Sequence, residues 1–165
     1  MTPAQAEASA AVEAALAGLG LAAEHPQPGH FLVKLAGQHK LATVTWLIVG
    51  AHSLQLEAFF CRRPDENHGQ FYQFLLERNG HTYGVHFAVD TNGDVYLVGR
   101  LPLTAVSPEE IDRVLGCVLT YSDSNFNPAL AIGFGSSIER EWAWRRKRGE
   151  SLANLAAFAR FAPPT

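Results

Sequence analysis

A strand-like segment turns into a helix-like segment at the sequence Cys61-Arg62-Arg63-Pro64-Asp65-Glu66-Asn67-His68. Pro64 cannot donate a hydrogen bond to a β-ladder and disfavours a helical conformation in the residue before it, so a strand must end here. We expect Asp65 to cap the helix that follows, because its carboxylate can accept hydrogen bonds from free helical amides. The sequence therefore predicts a polar corner, residues 61–68, between one strand and one helix.

Alternating apolar and polar residues predict five strands. The short gaps between the first three strands suit hairpins, so these three are predicted to form an antiparallel meander. The last two strands are predicted to form a second hairpin around a turn at residues 91–93. The predicted strands are residues 30–35, 41–49, 54–61, 81–90 and 94–100.

Helical periodicity and capping residues predict helices before, between and after these strands. Ser107-Pro108-Glu109-Glu110 is a typical helix start, with a serine cap, a proline in the first turn and a glutamate three residues after the cap. The polar residues 122–125 are predicted to break that helix. The predicted helices are residues 3–20, 65–78, 107–121, 128–134, 136–148 and 151–161.

The order of these elements indicates the fold class. Three hairpin-linked strands, one helix, two further strands and then helices give an α+β fold with a five-stranded, mostly antiparallel sheet. Extra C-terminal helices occupy about residues 125–161. No repeat or linker divides the 165 residues, so we expect a single domain over residues 1–165.

Bulk properties exclude several classes of protein. A formal net charge of −3 gives no electrostatic reason to expect nucleic acid or an acidic membrane as a partner. Two cysteines, Cys61 and Cys117, make no disulfide framework, and the first residues lack the features of a signal peptide. No apolar run reaches the roughly 18 residues that a membrane span needs. We expect a cytoplasmic protein.

The polar corner is the strongest candidate for a binding site. Arg62, Arg63 and His68 lie beside a predicted helix N-terminus, where a phosphate or carboxylate would be favoured, and Arg100 could join them if the second hairpin lies beside the third strand. The simpler interpretation, which we favour, is that the arginines and the neighbouring carboxylates neutralise each other. A weaker alternative makes Cys61 an activated thiol with His68 as its base.

Three other motifs give weaker evidence for a functional site. Residues 90–94 begin like a calcium loop but lack the glycine and glutamate that an EF-hand requires, so they are predicted to be a hairpin turn. The seven histidines show no helical ligand pair, so we expect no metal and no other cofactor. The basic run at residues 145–148, with two nearby tryptophans, is interpreted as an ordinary helix C-terminus.

Several separate stretches resemble the YbjN-domain family, most closely its actinobacterial-type branch. They lie at residues 63–68, 76–79, 83–85, 96–103, 108–112 and 136–142, and the similarity runs from about residue 20 to 161. Members of this family are similar in fold to type III secretion chaperones and carry the general label of sensory transduction regulators. The resemblance implies a small interaction module without a cofactor, and it transfers no catalytic residue to this chain.

The function that we expect is therefore a non-enzymatic protein-binding or regulatory module of chaperone-like fold, with a protein partner that the sequence does not identify. The first alternative is a binder of a small anionic or phosphorylated ligand at Arg62, Arg63 and His68. The second is a Cys61-dependent enzyme. We also expect a homodimer, because the Ala-rich first helix and the tryptophan-bearing C-terminal helices supply more apolar surface than five short strands can cover.

Overall fold

The computed structural model describes residues 1–164, which form four α-helices and six strands. The α-helices are α1 (Pro3–Gly18), α2 (His68–Asn79), α3 (Pro108–Gly133) and α4 (Gly135–Arg148). The strands are β1 (Ala23–Glu24), β2 (His30–Ala36), β3 (Ala42–Val49), β4 (Ser53–Cys61), β5 (Val85–Val89) and β6 (Val95–Pro102). Two short 3-10 helices are Leu103–Ala105 and Ala153–Phe161.

The strands form one antiparallel sheet in the order β1-β2-β3-β4-β6-β5. The predicted meander is confirmed as β2, β3 and β4, and the second hairpin adds β6 and then β5 beside β4. The strand count of five is wrong by one. The sixth strand, β1, pairs Ala23 with Val33, and its two residues are too few to show an alternating pattern.

The two faces of the sheet differ in composition, as alternation along a strand requires. The inner face is buried and forms most of the core: Phe31, Val33, Leu35, Leu47, Leu54, Leu56, Phe60, Phe87, Val95 and Leu97. The opposite face, which we call the outer face, carries half-buried or exposed residues. Its large apolar members are Leu32, Val44, Trp46, Ile48, Phe59, Tyr96 and Val98.

The first helix is part of the core. Its start is a capping box, in which the Thr2 hydroxyl accepts from the Gln5 backbone N–H and the Gln5 side chain accepts from the Thr2 backbone N–H. Val12 and Leu16 are buried where α1 packs against α3 and β3. The apolar side of α1 is therefore used within the chain, so it supplies none of the surplus surface on which the expectation of a homodimer rested.

The predicted break at residues 122–125 is wrong, because α3 continues from Pro108 to Gly133. The Ser122 hydroxyl is buried and lies 2.8 Å from the Thr43 hydroxyl, while the Ser124 and Asn125 side chains donate to carbonyls one turn earlier. The polar side chains that favour a break in isolation are thus satisfied inside the helix. The predicted start, with Ser107 as cap, is confirmed.

Two helical segments, α4 and the 3-10 helix Ala153–Phe161, follow α3. The predicted helix over residues 136–148 is confirmed as α4, and Gly149 follows it in a left-handed conformation. The last segment is a 3-10 helix rather than an α-helix, with a kink at Phe158. The predicted start of the C-terminal extension, about residue 125, falls inside α3. Within residues 1–164 no helix is long and apolar enough to cross a bilayer.

Candidate functional site

The polar corner is present, but Asp65 does not cap the helix. Strand β4 ends at Cys61 and α2 begins only at His68, so Asn67 is the cap position. Asn67 has a left-handed φ of 53°, and its side chain donates to the Ile132 carbonyl instead of capping α2. The prediction for Asp65 is wrong because two more residues separate it from the helix than the sequence pattern indicated.

Asp65 is instead the centre of an ion-pair and hydrogen-bond cluster. The Nη1 and Nη2 atoms of Arg62 donate to its carboxylate, at 2.6 and 2.9 Å, and the Ser137 hydroxyl donates at 2.8 Å. The hydrogen bonds from Arg62 and then from Ser137 lower the pKa of Asp65 to about 2. At neutral pH this pair therefore has no net charge.

Glu66 occupies a helix N-terminus, although not that of α2. Its carboxylate accepts from the Ser136 backbone N–H at 2.6 Å and from the Ser136 hydroxyl at 2.9 Å, in the first turn of α4. A carboxylate at this position compensates the partial positive charge of a helix start. The corner thus supplies the anion at the beginning of α4, and an external anion would have to displace it.

The cationic residues that the sequence grouped together contact different parts of the molecule. The Arg62 guanidinium stacks 4.5 Å from the centre of the Phe134 ring. The Arg63 side chain packs against Gly93, and its backbone N–H donates to the Asp94 carboxylate. The His68 ring lies 6.4 Å from that of Tyr72 on α2. Each of the three side chains thus has its own contact within the chain.

Arg100 lies away from the corner. It is opposite Gln55 in the β4–β6 pairing, whereas Arg62 follows the far end of β4. Seven residues of extended chain span roughly 23 Å at about 3.3 Å per residue. The expectation that Arg100 joins Arg62 is therefore wrong. Arg100 lines a hollow of about 510 Å³ on the outer face, together with Ile48, Gln55, Glu57, His86 and Val98.

A second concave feature adjoins the corner, and we call it the Lys40 groove. It has a volume of about 470 Å³ and lies where the end of β4 meets α3, α4 and the last 3-10 helix. Its lining is mainly apolar, with four polar or charged side chains. The lining side chains are Lys40, Phe59, Phe60, Cys61, Arg62, Phe126, Leu130, Phe134, Ser137, Ile138, Glu141 and Leu155.

Lys40 is the unusual member of this lining, because it is a lysine that is only 8% exposed. Its ammonium donates to the Phe59 carbonyl and lies 5.6–5.8 Å from the centres of three aromatic rings, those of Phe59, Phe60 and Phe126. Burial lowers the pKa of Lys40 to about 8, and the nearby Cys61 opposes that shift. The amine is still mainly charged at neutral pH.

Asp123 positions the loop that carries Lys40. Its carboxylate accepts from the backbone N–H groups of His39, at 2.8 Å, and Lys40, at 3.0 Å, and from the His39 ring at 2.9 Å. Neither Lys40 nor Asp123 was identified from the sequence. The sequence did contain one indication of Asp123. Val118, Ser122 and Ala129 have the spacing of one helix face, and this spacing predicts a continuous helix with Asp123 inside it.

Cys61 does not have the properties of an activated thiol. Its side chain is buried, and this burial raises the pKa of Cys61 to about 12, although the positive charge of Lys40 opposes the shift. A thiol with this pKa stays protonated at neutral pH and is a poor nucleophile. Among residues 1–164, no group of three or more histidine, cysteine or acidic side chains could hold a metal ion.

Comparison with known proteins identifies relatives over most of the chain. The model of the YbjN family, described as "Putative bacterial sensory transduction regulator", matches residues 8–131. Proteins of Mycobacterium tuberculosis and Mycobacterium bovis, both described as uncharacterized, are 53% identical over 146 residues, covering 86% of this chain and 80% of the relative. An uncharacterized protein of Mycobacterium leprae is 53% identical over 128 residues, covering 78% of this chain and 70% of that protein.

Two solved structures share the fold. The Yersinia pestis type III secretion chaperone SycH, in complex with a stable fragment of YscM2, matches with a TM-score of 0.52 and 19% identity, covering 70% of this chain and 96% of that chain. The ExsC–ExsE complex matches with a TM-score of 0.51 and 17% identity, covering 73% of this chain and 92% of that chain. The predicted resemblance to type III secretion chaperones in fold is thus confirmed.

Proposed function

Because this chain belongs to the YbjN family, we propose that it is a non-enzymatic protein-binding or regulatory module that recognises a partner protein on the outer face of its sheet. The regulator description of the family and the chaperone fold both support a role in binding other proteins. Both similar structures are complexes, one of SycH with a fragment of YscM2 and the other of ExsC with ExsE, which supports a protein-binding role for this chain.

The observation that carries this proposal is the composition of the outer face. Trp46 and Ile48 on β3 and Val98 on β6 are only half-buried, and Phe59, on the strand β4 between them, is 39% exposed beside Tyr96. A surface that combines partly exposed aromatic and aliphatic side chains with polar ones is typical of a non-obligate protein-interaction surface. The polar members of the outer face include Lys34, Glu57, His86 and Arg100, and Glu57 lies between its pairing partners Trp46 and Val98.

The Val98→Lys protein tests this surface. A lysine at this residue, beside Glu57 on the outer face, should strongly weaken partner binding, because it replaces an apolar contact with a charge that must lose its water in the interface. The matched control is the Arg62→Gln/Arg63→Gln protein. It should stay folded, because exposed ion pairs contribute about 0–1 kcal/mol, and it should retain its partners. The measurement is an affinity pull-down from native extract, quantified by mass spectrometry at low and high salt.

The opposite result for the two variants would place the binding site at the polar corner. In that case the doubly substituted protein would lose its partners, the Val98→Lys protein would keep them, and capture by the wild-type chain would fall as salt rises, because exposed charges are screened. If both variants capture the same proteins as the wild type, neither surface is the binding site. Circular dichroism of each variant separates loss of binding from loss of folding.

We also propose that the chain forms a homodimer through α2 and β5. Leu76 is 68% exposed on α2 and Val89 is 54% exposed on β5, and both line a hollow of about 270 Å³ that also includes Tyr72. Strand β5 lies at the edge of the sheet, where its outer backbone groups are available to a second chain. An apolar patch beside a free strand edge suits a self-complementary contact.

We expect the Leu76→Glu protein to be monomeric at concentrations where the wild-type chain is dimeric, because two copies of the new carboxylate would meet in an apolar contact. The control is Leu41→Glu, which adds the same charge at a residue that is 92% exposed in the β2–β3 hairpin. Light scattering at tens of micromolar gives the masses. A monomeric wild-type chain, or a dimeric Leu76→Glu protein, would exclude this interface.

A further inference from the structure

The Lys40 groove combines a buried cation with an apolar wall and lacks an anion to match the cation. An ammonium has three N–H donors, and the one hydrogen bond that the Lys40 ammonium makes within residues 1–164 is to the Phe59 carbonyl. No carboxylate of residues 1–164 forms an ion pair with it. A buried charge without a counter-ion is costly, so an occupant that supplies an acceptor here would be favoured.

The other polar groups of the lining are already engaged. Arg62 donates to Asp65, and the Ser137 hydroxyl donates to the same carboxylate. Glu141 accepts from Arg145 at 2.6 Å. A peptide lying in this groove would bring backbone N–H and C=O groups that find few partners, and each unpaired buried group is unfavourable. The groove is therefore suited to an occupant whose body has no polar groups.

We propose that the Lys40 groove binds an amphiphilic carboxylate, such as a fatty acid, with its carboxylate on the Lys40 ammonium and its hydrocarbon tail along Phe126, Leu130 and Ile138. The volume of about 470 Å³ lies within the roughly 300–1,000 Å³ that is usual for small-molecule sites. This site adjoins the outer face only at Phe59, and the residues assigned to the ligand are not part of that face, so the proposal goes beyond the protein-binding role and does not depend on it.

The charge of the site favours a monoanion. Arg62 is neutralised by Asp65, and Glu141 by Arg145, so Lys40 contributes the one uncompensated charge among the lining residues of the described chain. A carboxylate carries one negative charge and accepts well from an ammonium. A phosphate carries more charge and would leave part of it unmatched in an apolar setting.

The probes are decanoate and 1-decanol, which share a hydrocarbon tail and differ in charge. Isothermal titration calorimetry below the concentration of micelle formation gives both affinities. We expect the wild-type chain to bind decanoate roughly ten-fold to a hundred-fold more tightly than decanol, the range that one charge-assisted hydrogen bond provides. The Lys40→Met protein should bind the two probes equally. The Lys147→Met protein, altered at an exposed lysine outside the groove lining, should behave as the wild type.

An NMR titration of the wild-type chain tests the same site without relying on the folding of the Lys40→Met protein. Adding decanoate to the wild-type chain should shift the amide signals of Lys40, Phe126 and Leu130 and leave those of the outer-face residues Trp46, Ile48 and Val98 unchanged. Failure of decanoate to bind, equal binding of decanoate to the wild-type and folded Lys40→Met proteins, or shifts confined to Trp46, Ile48 and Val98 would overturn the proposal. It would also be overturned if an acidic apolar peptide, acetyl-Leu-Asp-Leu-Phe-amide, binds at Lys40 and decanoate does not.

Discussion

The Asp123→Ala protein is expected to lose about 3 kcal/mol of its free energy of unfolding, because hydrogen bonds to a charged group each contribute roughly 1.5–3 kcal/mol and several are lost together. The Asp123 side chain is 15% exposed and joins α3 to the β2–β3 hairpin through His39 and Lys40. Without it, two backbone N–H groups lose their acceptor. Urea unfolding at pH 7 gives the difference.

The same residue predicts a pH dependence. Burial opposes the ionisation of Asp123, but hydrogen bonds from the Lys40 and His39 backbone and from the His39 ring lower the pKa of Asp123 to about 2. An unfolded aspartate titrates near 3.9. Because the folded pKa is the lower one, the stabilisation is complete above about pH 4 and is lost as the pH falls toward 2. The stability advantage of the wild type over Asp123→Asn should shrink across that interval.

Asp112→Asn provides the matched control for this experiment. Asp112 is exposed on the same helix, so the substitution removes the same charge without removing a link between elements. We expect its unfolding curve to follow that of the wild type at every pH. If Asp112→Asn and Asp123→Asn have equal midpoints at pH 7, the contacts of Asp123 do not stabilise the fold. The Asp123→Ala protein should also lose the decanoate preference, since its Lys40 loop is released.

The features that the sequence predicted well are those that depend on neighbouring residues. Alternation over seven to nine residues is enough to identify β2, β3 and β4, and the serine, proline and glutamate after residue 106 are enough to locate the start of α3. Strand β1 was missed because its two residues are held by pairing with β2, which local composition does not encode.

The errors in α3 and at the corner have a common cause, since a distant partner changes what a polar residue does. Ser122 favours a break when considered alone, but the buried hydroxyl of Thr43 satisfies it inside the helix. Asp65 was predicted to bind the helix that follows it, whereas its partners are Arg62 and Ser137, 72 residues away in the second case. Local patterns predicted which residues are polar and clustered, and long-range packing decided their roles.

The Gly133→Ala protein is expected to lose about 3 kcal/mol of stability, at the upper end of the cost of overpacking a core. A Cβ at this residue would lie 2.8 Å from the Pro64 Cβ and 2.8 Å from the Phe71 Cδ2, and Phe71 is fully buried. Neither neighbour can move freely, because the Gly133 carbonyl also accepts from the backbone N–H groups of Asp65 and Glu66. Thermal unfolding should show a Tm lower by roughly 6–12 °C.

Gly116→Ala supplies a control of opposite sign on the same helix. No atom lies within 4 Å of the position that its Cβ would take, so the substitution only improves helix propensity and should stabilise by up to about 1 kcal/mol. Two proteins with the same chemical change should therefore move the Tm in opposite directions. If both substitutions change the Tm equally, the polar corner can move away from α3 without loss of stability. A selective loss in Gly133→Ala would mean that the close approach of α3 holds the strand–helix corner in place, with Arg62 and Glu66 positioned at the start of α4.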